Sequence, residues 1–229
     1  LTAKQVYEIA KQGKKSKPEQ NALKHADLNN DGKVDLKSEM TFGPAYYASA
    51  FDKGGKTKYL HNITRAYLNG RKLLVAAKGA KLSDSQWSQL KSYAQTVATN
   101  WEKVLAEATF KYAGSVHKDL EKLSVIAEAN GDTSKALSSY IKHWGELKGF
   151  SLALQTGKDN LGATGSRLNR LIGVGPVLLD SSQVTDVDSK GNYVRSGNQT
   201  ISKYKENMVR VQNLLVAKFN LKALKNSIK

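Results

Sequence analysis

The stretch of sequence that decides the fold is Ser83-Asp-Ser-Gln86-Trp-Ser-Gln-Leu90-Lys-Ser-Tyr-Ala94. In this stretch a signal for the start of a helix is followed directly by apolar residues at helical spacing. Ser83 and Gln86 match a capping box, in which each side chain accepts a hydrogen bond from the other residue's backbone N–H. Apolar residues then recur every three or four positions, at Trp87, Leu90, Ala94, Val97, Trp101, Val104 and Ala108. This spacing predicts a long amphipathic helix with one face in a core.

The same spacing recurs through most of the chain, and it predicts an all-α, antiparallel helical bundle that forms a single domain over residues 1–229. The other predicted helices are Thr2 to Gly13, Pro18 to Ala26, Ser38 or Pro44 to Phe51, Tyr59 to Ala77, Val116 to Ala129 before Asn130-Gly131, Thr133 to Leu154, Ser166 to Ile172, and one after Thr200. No run reads as a convincing strand. Residues Asp180 to Gln199 read as a surface loop with a possible hairpin at Lys190-Gly191, and the lysine-rich end is expected to fray.

An acidic stretch between two predicted N-terminal helices resembles an EF-hand calcium loop. Such a loop supplies oxygen ligands at alternate positions, with a glycine at the sharp turn. The candidate calcium ligands are Asp27, Asn29, Asp31, the backbone carbonyl of Lys33, Asp35 and Glu39, with Gly32 at the turn. The closing carboxylate falls one residue late, because Ser38 stands at the twelfth position. The alternative is an Asx-rich turn with Ser38 as a helix cap and no metal.

A second candidate metal site lies in the helix predicted after Thr133. His143 and Glu146 are three residues apart, so both project from one side of a helix, as paired ligands do in helical metal proteins. The residues that could complete such a site are His25, His61, His117, Glu102, Glu107 and Glu121. A transition metal such as iron is the expected cofactor there. The alternative is that His143 and Glu146 form only a hydrogen bond or a surface ion pair.

The charge balance indicates an anionic partner. The net charge is +16 with a pI near 9.8, and most of the basic residues are lysines spread through every segment. Nucleic acid is not expected, because there is no recognisable binding motif and no aromatic residues alternate with a basic stripe. The other candidate partners are an anionic glycan, a phospholipid surface and an acidic protein. The alternative is a merely solvated lysine-rich surface.

Other features of the sequence bear on compartment and chemistry. The chain has no cysteine, begins at Leu1, and contains no apolar run of the roughly 18 residues that a membrane span needs. The start at Leu1, together with the calcium-like loop, favours an extracytoplasmic location after removal of a leader, whereas the lack of cysteine does not by itself identify a compartment. There is no His-Glu-x-x-His and no nucleophile with an evident base, so we do not expect an enzyme.

Several short runs resemble an uncharacterised bacterial helical family, domain of unknown function 4856. They are His143-Trp-Gly-Glu-Leu-Lys-Gly-Phe-Ser-Leu-Ala-Leu-Gln155, Ala66-Tyr-Leu-Asn-Gly-Arg71, Trp101-Glu-Lys-Val104 and Gly175-Pro-Val177. The pair His143 and Glu146 is also similar to the motif of imelysin-like proteins, although Ile141 stands where that motif carries glycine. The resemblance implies a periplasmic or cell-surface helical protein, linked in the imelysin-like case to iron or haem uptake.

These observations lead to two functional hypotheses. The first is an extracytoplasmic, non-enzymatic binding protein with a structural calcium, engaged in metal or ligand capture. The second is a structural or adhesive subunit of a cell-surface assembly that docks on anionic partners.

Overall fold

The computed structural model describes residues 43–157, 161–197 and 199–228. Over these ranges the chain forms six helices and one two-stranded sheet. They are α1 (Gly43–Asp52), α2 (Tyr59–Ala76), α3 (Asp84–Glu128), α4 (Ser134–Gln155), α5 (Ala163–Ile172), β1 (Gln183–Val187), β2 (Tyr193–Ser196) and α6 (Ile201–Phe219). The predicted predominance of helix is confirmed. The candidate calcium loop, Asp27 to Glu39, lies outside the described residues, as do the two helices predicted before it.

The chain divides into two compact units, Leu1–Val104 and Leu105–Lys229, with the boundary inside α3. In the first unit, the turn between α1 and α2 is organised by Asp52. Its carboxylate accepts hydrogen bonds from the backbone N–H of Tyr59 (2.7 Å) and Leu60 (2.9 Å) and from the Thr57 hydroxyl (2.8 Å). Because the first N–H groups of a helix lack intrahelical partners, this carboxylate caps α2.

The capping box predicted at the start of α3 is confirmed. The Ser83 N–H donates to Gln86 Oε1 at 2.9 Å, and the Gln86 N–H donates to Ser83 Oγ at 3.3 Å. The predicted stop is also confirmed, since Asn130 has a left-handed φ of 53° and the Gly131 N–H donates to the Ile126 carbonyl.

The two helices predicted before and after Ala108 are in fact one helix, α3, of 45 residues. The apolar stripe changes phase after Ala108, which is why the sequence suggested a break. No proline or cap follows, however, and an isolated Gly114 costs a helix only about 1 kcal/mol relative to alanine. The helix therefore continues through both halves of the pattern.

The core of the second unit is formed by the later part of α3 together with α4, α5 and α6. The largest fully buried side chains in it are Phe110, Leu120, Leu123, Tyr140, Leu147, Leu154, Leu168, Ile172 and Tyr204.

Helix α4 begins where predicted, but Thr133 makes no side-chain cap. Asp132 supplies that function, because its carboxylate accepts from the N–H and the hydroxyl of Ser134.

The expectation that the chain lacks strands is wrong over part of the segment predicted as a surface loop. β1 and β2 form an antiparallel hairpin with an irregularity between Val184 and Asp186. Its turn is held by the Asp188 carboxylate, which accepts from the N–H groups of Lys190 and Asn192, and by Gly191 at a φ of 84°. The suggested hairpin at Lys190-Gly191 is thus confirmed, and its strands are longer than the sequence indicated.

The expectation that the lysine-rich end frays is also wrong over the residues that the structure describes. Helix α6 starts after Thr200, as predicted, and the Thr200 side chain caps it by accepting from the Lys203 N–H. The chain beyond Phe219 returns onto α3 and α6. Gln212 Nε2 donates to the carbonyls of Phe110 (3.0 Å) and Asn226 (2.9 Å), and Gln212 Oε1 accepts from the Ile228 N–H. The buried Gln212 therefore holds the end of this return segment, residues 221–228.

In the part of the chain that the structure describes, none of the helices is both long enough and apolar enough to cross a bilayer.

Candidate functional site

The candidate site centres on His143, which projects from α4 toward α3. Its Nδ1 lies 2.5 Å from Asp119 Oδ2. Because an ionised carboxylate only accepts hydrogen bonds, this contact makes Nδ1 the donor, and in the neutral imidazole the lone pair of the ring is then on Nε2. The His143 side chain is 29 % exposed and that of Asp119 is 17 % exposed, so the pair lies at the edge of the core.

Aromatic rings flank the imidazole. The Tyr112 ring lies 5.9 Å from the His143 ring, and it stacks on the Phe150 ring at 5.7 Å with an angle of 8° between planes. Lys111 Nζ lies 4.1 Å from the centre of the Tyr112 ring. The Ser139 hydroxyl donates to the other carboxylate oxygen of Asp119 at 3.4 Å. These contacts restrict the orientation of both members of the pair.

Sequence reasoning singled out His143 with Glu146, whereas the carboxylate that holds the imidazole is that of Asp119. Glu146 lies one turn further along α4 and is half-buried. Asp119 is 24 residues away on another helix, so the spacing within α4 gave no indication of it. Its position one heptad after Tyr112, on the same face of α3, is the only sequence signal that could have suggested it.

Three of the other candidate ligands, Glu107, Glu121 and His117, are engaged elsewhere. Glu107 is fully buried, and its carboxylate accepts from three successive backbone N–H groups, those of Lys222 (2.7 Å), Ala223 (2.7 Å) and Leu224 (3.0 Å). Glu121 lies 3.7 Å from Lys205 Nζ and 3.6 Å from His117 Nδ1. Burial lowers the pKa of His117, and the Glu121 charge only partly offsets this shift.

Over residues 43–157, 161–197 and 199–228, no group of three or more His, Asp or Glu side chains converges in a way that could hold a metal ion. The positions of Asp27, Asn29, Asp31, Lys33, Asp35, Glu39 and His25 lie outside these ranges. His61 belongs to the first unit and is exposed.

The remaining polar residues of the His143 run hold the chain that follows α5. Trp144 Nε1 donates to the Tyr204 hydroxyl (2.8 Å), which donates to the Ile172 carbonyl (2.7 Å). Lys148 Nζ donates to the Gly173 carbonyl at 2.8 Å, and partial burial lowers the pKa of this lysine. The Val177 N–H donates to the buried Tyr140 hydroxyl at 2.9 Å. Helix α4 is therefore hydrogen-bonded, through Tyr140 and Lys148, to the chain that follows α5.

No family model, no curated protein and no solved structure matches this chain.

Proposed function

We propose that this chain is a non-enzymatic binding protein of the bacterial periplasm or cell surface, which captures a transition metal such as iron, or a ligand that carries one. The observation that carries the proposal is the hydrogen bond between Asp119 and His143. Histidines that bind metals almost always donate their second N–H to a carboxylate or carbonyl, which fixes the tautomer and raises the basicity of the ligating nitrogen. Asp119 stands in that relation to His143.

The surroundings of His143 favour capture over catalysis. One supported imidazole with Glu146 a turn away offers few protein ligands, so the metal would keep other ligands of its own, from water or from a chelating molecule. Tyr112 is buried between the Phe150 ring and Lys111 Nζ, so it supports the imidazole and leaves the half-exposed edge of His143 as the place for a ligand. The proposal includes the structural calcium at Asp27 to Glu39, on the spacing of its oxygen ligands.

Elemental analysis of the purified protein, followed by titration with Fe²⁺ and Zn²⁺, tests the capture function. We expect binding near one metal per chain, its loss in His143→Ala, and an affinity about ten- to a hundredfold weaker in Asp119→Asn. His61→Ala is the matched control, because it removes an exposed histidine elsewhere. Binding that survives in His143→Ala, or a protein that holds calcium alone, would overturn the capture function.

The alternative function, a structural or adhesive subunit that docks on anionic partners, is favoured by a cleft in the first unit. This cleft has a volume of about 410 Å³, and its lining includes Lys53, Lys58 and His61. Asp52 also borders it, but its carboxylate is already engaged by the N-terminus of α2. Binding of a sulfated glycan that weakens steeply with salt, and falls in Lys53→Gln with Lys58→Gln, would support this function.

A further inference from the structure

One segment of the first unit carries positive charge without any compensating carboxylate. Between Asp52 and Asp84 the sequence contains no aspartate or glutamate. The basic residues in this interval are Lys53, Lys56, Lys58, Arg65, Arg71, Lys72, Lys78 and Lys81. The interval comprises all of α2 and the turn into α3. We call this interval together with the first turn of α3 the basic hairpin, residues 53–87, in which Asp84 is the one acidic residue.

The apolar stripe of α2 extends beyond the core of the first unit. In the first half of the helix this stripe is buried, with Leu60 4 % exposed and Ile63 2 % exposed. In the second half the residues at the same helical spacing are open, with Tyr67 51 % and Leu74 49 % exposed, and the adjacent Val75 is 66 % exposed. A helix face of this kind, left uncovered and bordered by polar groups, marks an interaction surface.

A tryptophan extends this surface from α3. A β-carbon at Gly70 would lie 3.4 Å from the Leu90 side chain, so the middle of α2 lies against the first part of α3. Since the two helices are joined by a short turn, Trp87 lies at the same end of the pair as Leu74. Trp87 is 47 % exposed. Arg71, Lys72, Lys78 and Lys81 are all exposed around this end.

The positive charge of this surface indicates which kind of binding partner it fits. A second copy docked through the same surface would bring two cationic hairpins together, with Asp84 as the one carboxylate of each hairpin to offset the repulsion. A nucleic acid would pair with the lysines but would leave Leu74, Val75 and Trp87 in contact with phosphates. A bilayer containing anionic phospholipid satisfies both components, because basic side chains meet the headgroups while tryptophan, tyrosine and aliphatic side chains enter the interface.

We propose that the end of the basic hairpin, formed by Tyr67, Leu74, Val75 and Trp87 with Arg71, Lys72, Lys78 and Lys81 around them, docks on the surface of an anionic phospholipid bilayer. The chain lies on the bilayer and does not enter its hydrocarbon core. This surface shares no residue with the His143 site, so the inference is independent of the proposed capture function.

Co-sedimentation with phosphatidylcholine vesicles, prepared with and without phosphatidylglycerol, tests this proposal. We expect binding only to the vesicles with phosphatidylglycerol, a steep decrease as salt is added, and a blue shift in tryptophan fluorescence as Trp87 leaves water. Replacing Arg71, Lys72 and Lys81 with glutamine should weaken binding about a hundredfold, because each cation near such a surface contributes about fivefold. Leu74→Ser with Val75→Ser should weaken it about tenfold or more.

Matched controls separate docking from general charge and from misfolding. Lys135→Gln, Lys142→Gln and Lys190→Gln remove the same charge elsewhere, and Val125→Ser with Ile141→Ser removes exposed apolar groups elsewhere. Both controls should bind vesicles as the parent does, and all variants should keep the parent's helical circular dichroism. Equal losses in the control and hairpin variants, equal binding to vesicles without phosphatidylglycerol, or binding of an anionic polymer but not of vesicles would overturn the proposal.

Discussion

The backbone carbonyl of Asn226 occupies the space beside Gly114 where a side chain would begin. A β-carbon built on Gly114 would lie 1.8 Å from that oxygen and 2.8 Å from the carbonyl carbon. Both distances are far shorter than any van der Waals contact, and the obstructing atoms belong to a backbone that Gln212 and Ser115 hold by hydrogen bonds. A glycine in the middle of a long helix is thus required by the chain that crosses it.

Gly114→Ala should lower the free energy of unfolding by about 2 kcal/mol or more, because the return segment must move. Alanine normally stabilises a helix interior relative to glycine by about 0.5–1 kcal/mol, so the expected sign is reversed here. Gly149→Ala in α4 is the control, since nothing lies within 4 Å of its β-carbon position. Chemical denaturation of both variants makes the comparison, and a stabilised Gly114→Ala would contradict the packing described.

Glu107→Gln should lower the free energy of unfolding by about 2–4 kcal/mol. The amide replaces one acceptor oxygen by a donor, which faces backbone N–H groups in a site with no exposure. Hydrogen exchange should become faster at the amides of Lys222, Ala223 and Leu224. Glu128→Gln, at an exposed position of the same helix, should change neither quantity. Unchanged protection of those three amides in Glu107→Gln would mean that the carboxylate does not hold the segment.

His117 should make stability depend on pH. Burial lowers its pKa in the folded protein below the ordinary value of 6.5, with Lys205 and Lys118 acting in the same direction and Glu121 opposing them. As pH falls below 6.5, the unfolded chain therefore binds this proton before the folded protein does. The contribution of neutral His117 to the free energy of unfolding is complete above pH 6.5, and it is lost between pH 6.5 and the lower pKa of the folded state. His117→Gln should flatten the plot of unfolding free energy against pH in that interval, measured by denaturation at each pH. An equally steep plot in the variant would rule out His117 as the cause.

Asp31→Ala tests the calcium loop. If the loop binds calcium, the ion should raise the melting temperature of the parent protein, and a chelator should reverse that rise. Asp31→Ala should abolish the rise, because it removes the ligand at the fifth loop position. Asn30→Ala is the control, since the fourth position does not supply a ligand. A rise that persists in Asp31→Ala would count against the assigned ligands.

Local signals in the sequence predicted most of the helix ends. The Ser83 and Gln86 capping box, the stop at Asn130 and the helix start after Thr200 each depend on groups within a few residues of one another, and all three are confirmed. The continuity of α3 was missed because its apolar stripe changes phase along the helix. That phase change reflects contacts with different neighbours, which spacing alone does not reveal.

For the same reason, the sequence predicted one residue of the candidate site, His143, and missed the other, Asp119. His143 carries chemistry that can be read from its residue type, but its partner Asp119 is brought near by the packing of α3 on α4. Likewise, Glu107 was considered as a metal ligand from its type, whereas its actual partners are backbone groups more than a hundred residues later. Contacts of such sequence separation depend on the tertiary fold.

The distance along the chain between Glu107 and Leu224 has a consequence for biosynthesis. At the usual rate of translation, on the order of ten seconds pass between the addition of these two residues by the ribosome. During that interval the carboxylate lacks the three backbone N–H groups that it accepts from in the folded protein, so burial of this part of the helix would leave it without them. Folding of the second unit should therefore reach completion only after Leu224 has left the exit tunnel.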